Sequence, residues 1–124
     1  MYEYESKEIT SYKELMEIYR KATAYFIGSF TMEIIKRREE WENPATKTAF
    51  IESFHKEYFA WDENWSISRT RNRVNCVIRI IKSHRVEEAL ELVINSDDMK
   101  MEIIEAKINA QATLEHIKSG KLIY

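Results

Sequence analysis

Six cationic side chains, Arg69, Arg71, Arg73, Arg79, Lys82 and Arg85, fall within residues 66–85, and no acidic residue interrupts them. Arginine forks hold carboxylates and phosphates through paired hydrogen bonds, and indoles stack on guanidinium planes or nucleobases. Trp61 and Trp65 stand just ahead of the block. Residue types in this pattern suit the recognition of an anion more than the making or breaking of bonds. The flanks sharpen the contrast. Residues 1–65 carry nine basic and thirteen acidic side chains, and residues 86–124 carry four and eight. A segment of net +6 therefore sits between two halves of −4 each, in a chain of net charge −2.

A helix over this segment divides the cations. At about 100° per residue, Arg71, Arg79, Lys82 and Arg85 share a polar arc with Ser68, Asn72 and Asn75. Val74, Val77, Ile78, Ile80 and Ile81 share the buried arc. Arg69 and Arg73 turn inward beside Trp61 and Trp65, where a charge requires a partner. Internal carboxylates, Asp62, Glu63 or the acidic flanks, are one candidate. A phosphate or nucleotide gripped by Arg69, Arg73 and Trp65 is another. A nucleic acid on Arg71, Arg79, Lys82 and Arg85 is a third, with Asn72 and Asn75 able to reach base edges. The acidic remainder weighs against generic backbone binding, which needs broad positive potential. An acidic protein surface would satisfy the same cations.

Other constellations are thinner. Glu52 and His55 have Glu-x-x-His spacing on one helical face. Di-iron bundles use two such motifs and two further glutamates, and neither His84 nor His116 repeats the motif. No metal and no cofactor are expected. Cys76 falls near Val77 and Ile80 on the apolar side of its helix, where a thiol behaves as a small buried hydrophobe; Arg73 is the nearby cation that could activate it. Two glycines, Gly28 and Gly120, cannot build a phosphate-cradling loop. No glutamate pair stands out for acid–base work, so no catalytic residue is predicted.

The elements that must position these residues are helices. A chain of 124 residues, 44% hydrophobic and 32% charged, suits one globular domain over residues 1–124. Two glycines and one proline are too few for a turn-rich β domain. The expectation is all-α, a single compact bundle of about five helices joined by short turns, with an irregular segment over residues 1–10. The first helix starts behind Ser11, whose spacing to Glu14 fits a capping box, and runs past a kink or close helix contact at Gly28. Asn43-Pro44 opens a second helix to about Ala60. The basic helix runs from Ser66 or Ser68 to Lys82, and another covers Val86–Asn95. Ser96, Asp97 and Asp98 suit the start of the last helix, which ends at Ser119-Gly120. Ser83–Leu90 resembles the junction of a tetratricopeptide repeat over eight residues, but with no period of about 34 residues it reads as an ordinary helical hairpin.

No apolar run approaches the ~18 residues of a membrane span. The acidic start, Met1-Tyr-Glu-Tyr-Glu, lacks the features of a signal peptide, and one cysteine forms no intrachain disulfide. A reducing cytoplasm is the expected setting. The first and last helices are apolar on two sides, which predicts a homodimer or larger assembly. The expected function is non-enzymatic: an adaptor, regulator or inhibitor acting by macromolecular contact, its surface centred on segment 66–85 and Trp61 and Trp65. The alternative is an anion-binding module for a nucleotide or nucleic acid.

Overall fold

The computed structural model describes residues 8–124 and is helical throughout, with no strand among the described residues. The helices are α1 (Tyr12–Ala22), α2 (Ala24–Lys36), α3 (Arg38–Glu42), α4 (Pro44–Tyr58), α5 (Ile67–Lys82), α6 (Val86–Ile94) and α7 (Met101–Lys118). Among the described residues, seven helices stand where about five were expected, because the first divides into three. The irregular segment expected over residues 1–10 lies mostly outside the described residues. Ile9, just inside them, is buried, and its N–H donates to the Ser83 hydroxyl 2.8 Å away.

Local chemistry accounts for the helix ends. The Ser11 hydroxyl accepts from the Glu14 N–H at 3.2 Å, the Asn43 amide oxygen caps α4 ahead of Pro44, and Ser66 caps α5 through the Arg69 N–H. The long first helix breaks at Thr23, not at Gly28. Thr23 takes φ 78°, ψ 150°, ends α1 through its N–H and starts α2 by accepting from Phe26 N–H. Gly28 instead permits the close contact allowed for it: a Cβ there would lie 2.5 Å from the Ala106 carbonyl oxygen of α7. The last helix begins at Met101, later than expected. The Ser96 and Asp98 side chains accept from the N–H groups of Asp98 and Lys100, and such local bonds compete with helix formation.

Helix α2 is the central rod. It packs on α7, α6, α5 and α1, so both of its apolar faces are covered within one chain. Phe26, Phe30, Phe50, Phe54 and Phe59 form one aromatic cluster beneath α4. On α4 the buried side chains are Phe50, Ile51 and Phe54, while Ala45 and Ala49 stay exposed. Trp41 is buried by α3 and donates its indole N–H to the Ile34 carbonyl at 2.7 Å. Helix α7 behaves differently from α2. Ile103, Ala106, Ala110 and Leu114 face the core, whereas Met101 and Ile108 on its outer stripe are 70% and 65% exposed.

Candidate anion-binding cleft

Helix α5 is enclosed over most of its length. Every residue from Val74 to Ile81 is buried, Asn75 and Arg79 included. The polar arc expected to hold Arg71, Arg79, Lys82 and Arg85 together is therefore not one open surface, because α1 lies across part of it. Arg79 is held there by Glu14 of α1, with guanidinium and carboxylate 3.3 Å apart. Glu14 also accepts from the Thr10 hydroxyl at 2.7 Å, so its carboxylate ties the start of α1 to α5. Arg85 precedes α6 and pairs locally with Glu88 at 3.1 Å. Lys82 is exposed and Arg71 half-buried.

Arg69 and Arg73 find an aromatic partner. Their guanidinium carbons lie 5.1 and 5.2 Å from the centre of the Trp65 ring, a spacing suited to cation–π attraction. Phe59 stacks on the same indole, with centroids 4.3 Å apart and planes within 5°. The indole N–H donates to the Thr70 hydroxyl at 2.9 Å, and that hydroxyl lies 2.7 Å from His55 Nδ1. His55 is thereby engaged with Thr70, while Glu52 faces out, and no group of three potential metal ligands occurs among the described residues. Trp61 takes no part in this hub: it is 79% exposed, and its N–H donates to the Tyr58 carbonyl.

The internal carboxylates considered for this pair do not reach it. Among the described residues, no ion pair joins Arg69, Arg71, Arg73 or Lys82 to an acidic side chain. Arg73 is the least satisfied of the four. Its Nε is buried without a hydrogen-bond acceptor. Burial holds its pKa below the usual arginine value, and the like charge of Arg69 adds to the effect, against a small opposing pull from Cys76.

Arg73 lines a cleft of about 470 Å³ between α1 and α5, together with Lys21, Asn72, Arg79, Cys76 and Ile18. Three cations and an amide thus converge on one hollow, with Glu14 as the carboxylate paired to Arg79. Cys76 is 8% exposed, and burial pushes its thiol pKa up against the pull of Lys21, Arg73 and Arg79. Its environment suits a neutral thiol, not a thiolate nucleophile. Lys21 is the member that the sequence did not single out. It sits in the last turn of α1, some fifty positions from the basic block, and only the packing of α1 on α5 brings it in.

Compared with family models, with curated proteins and with solved structures, this chain has no match.

Proposed function

We propose that this chain is a non-enzymatic anion-binding module whose ligand is a small phosphate-bearing molecule, nucleotides included, held in the α1–α5 cleft. One observation carries the reading: Arg73, whose Nε is buried without an acceptor, lines a hollow that also gathers Lys21, Arg79 and Asn72. An unpaired buried donor costs about 1–3 kcal/mol, and more when charged. An anion supplying the missing acceptor would offset that cost and relieve the crowding of Arg73 against Arg69. Guanidinium and amide donors together suit the several oxygens of a phosphate. The cleft is local and the surrounding chain acidic, which favours a small ligand over an extended nucleic-acid backbone.

Thermal denaturation at constant ionic strength tests the proposal. Pyrophosphate at millimolar concentration is expected to raise the midpoint in a saturable way, and Arg73→Ala to remove the increment relative to its own baseline. Glu14→Gln removes the carboxylate that pairs with Arg79; it is expected to lower the basal midpoint yet tighten anion binding about three- to tenfold at low salt, by Coulomb's law at short range. No saturable shift, or equal shifts in all three proteins, contradicts the proposal.

A second reading, action through macromolecular contact, is favoured by the outer stripe of α7. Met101 and Ile108 stay exposed there, and Met99 just ahead of the helix is 73% exposed. In that reading a second copy of the chain covers the stripe and gives a homodimer in a reducing cytoplasm.

A further inference from the structure

Trp65 and Phe59 of the hub also line a separate cleft of about 340 Å³, with Tyr25, Trp61, Asp62 and Glu102. Its chemistry is the opposite of the α1–α5 cleft: four aromatic rings and two carboxylates. Glu102 makes no ion pair or hydrogen bond among the described residues, and the Asp62 carboxylate accepts from the Asn64 N–H in a local turn. Among the described residues, no cation pairs with either carboxylate. Tyr25 registers their side of the cleft: burial raises its hydroxyl pKa, and Glu102 and Glu105 raise it further.

We infer that this cleft receives a cationic side chain, an arginine or a lysine in plain or methylated form, from a partner polypeptide. Aromatic walls attract a cation through their ring quadrupoles, and most strongly where water is displaced; the two carboxylates supply the compensating charge. Trp65 is already covered by Phe59 and approached by Arg69 and Arg73. Trp61, at 79% exposed, is therefore the ring with surface to offer. Neither guanidinium lines the cleft. A polypeptide occupant is favoured over a free small cation because the site is shouldered by apolar surface. Glu102 follows Met101 directly on α7, and Met99 and Met101 are 73% and 70% exposed. Exposed tryptophan and methionine beside a charged recess are the features that anchor a polypeptide. The two clefts share no lining residue, so this one can be altered separately from the phosphate site.

Fluorescence and proton–nitrogen NMR titrations test it on the full chain. The probes are Ac-Leu-Arg-Leu-amide, the same peptide with lysine or trimethyllysine at its centre, the glutamine analogue as a neutral control, and tetramethylammonium chloride as the free cation. The three cationic peptides are expected to move the Trp61 indole signal saturably and at least tenfold more tightly than the glutamine analogue. Asp62→Asn with Glu102→Gln is expected to weaken them at least tenfold, and Trp61→Ala to do likewise, while Lys21→Ala, at the α1–α5 cleft, leaves them unchanged. All three sites at the cleft are exposed or half-exposed, so the variants retain the fold. Equal binding of the glutamine peptide, or cationic binding that survives both cleft variants, overturns the inference. Tetramethylammonium binding as tightly as the peptides overturns the polypeptide assignment.

Discussion

Arg73 and Cys76 lie three residues apart on α5 and line the same cleft, yet burial acts on them in opposite senses. For Arg73 it disfavours the charge that the site exploits; for Cys76 it favours the neutral thiol. The second effect predicts a pH dependence. Because the folded-state pKa of Cys76 lies above its unfolded value of about 8.5, the folded chain binds more protons than the unfolded chain between those two values. The contribution is fully present below pH about 8.5 and is lost as pH rises through the folded pKa, at no more than about 1.4 kcal/mol per pH unit. Urea denaturation of the wild type is expected to show this decline, and Cys76→Ala to lack it up to pH about 10, where tyrosines begin to ionise. Equal slopes in both proteins would contradict the assignment. The buried thiol was legible from its apolar neighbours in the sequence. The pairing of Arg69 and Arg73 with an indole was legible only in part: Trp65 beside them was, but the inward lean holds for half-buried Arg73 and not for Arg69, which is exposed, and the absence of an ion pair to Asp62 or Glu63 depends on the path of the link between α4 and α5.

Elements end where local hydrogen bonds or backbone strain end them, and α1, α2 and α7 illustrate each case. Thr23 holds a positive φ that is nearly confined to glycine and costs about 1–3 kcal/mol. Thr23→Gly relieves that strain, while the lost cap costs only a few tenths of a kcal/mol and the freer unfolded chain about 0.4–1 kcal/mol. The variant is expected to be more stable by about 0.5–1 kcal/mol in urea denaturation, on the balance of those terms; a marked loss would show that the threonine cap outweighs the strain. Gly28→Ala is expected to act the other way. Helix propensity would gain about 1 kcal/mol, but the new Cβ would meet backbone of Ala106 at 2.5 and 2.9 Å, which cannot yield as a side-chain tip can. Overpacking of about 1–3 kcal/mol then dominates, and a net destabilisation is the outcome to measure. The sequence placed α4 and α5 closely because Asn43 and Ser66 cap them from standard positions, the end of α7 because Ser119-Gly120 stops it, and α6 by its apolar stripe alone, since Arg85 gives it no side-chain cap. It missed the break at Thr23, since a β-branched residue gives no turn signal, and it missed α3, which is held by the burial of Trp41 and the Arg38–Glu42 pair.

At the scale of the whole molecule, the packing of α1 across α5 converts a linear basic block into a cleft. That step brings Lys21 to Arg73 and Arg79, partly buries the Arg79–Glu14 pair, and leaves Arg71, Lys82 and Arg85 outside the site. The same packing covers both apolar faces of α2 and leaves the outer stripe of α7 bare; of the two helices expected to need outside cover, the first keeps Tyr12 exposed at its start and the last keeps Met101 and Ile108 exposed. If a second copy covers that stripe, native mass spectrometry will give twice the chain mass for the wild type and single chains for Ile108→Asp; monomer at all concentrations would exclude the homodimer. Whether the α1–α5 cleft holds a phosphate-bearing anion is read from the Nε–H signal of Arg73 in a proton–nitrogen spectrum, assigned by its loss in Arg73→Lys. Pyrophosphate is expected to shift that signal downfield to saturation as its buried donor gains an acceptor, with the Arg69 and Arg71 signals moving less. An Arg73 signal that stays in place while pyrophosphate is raised, or that moves equally with sodium chloride at matched ionic strength, would contradict the account.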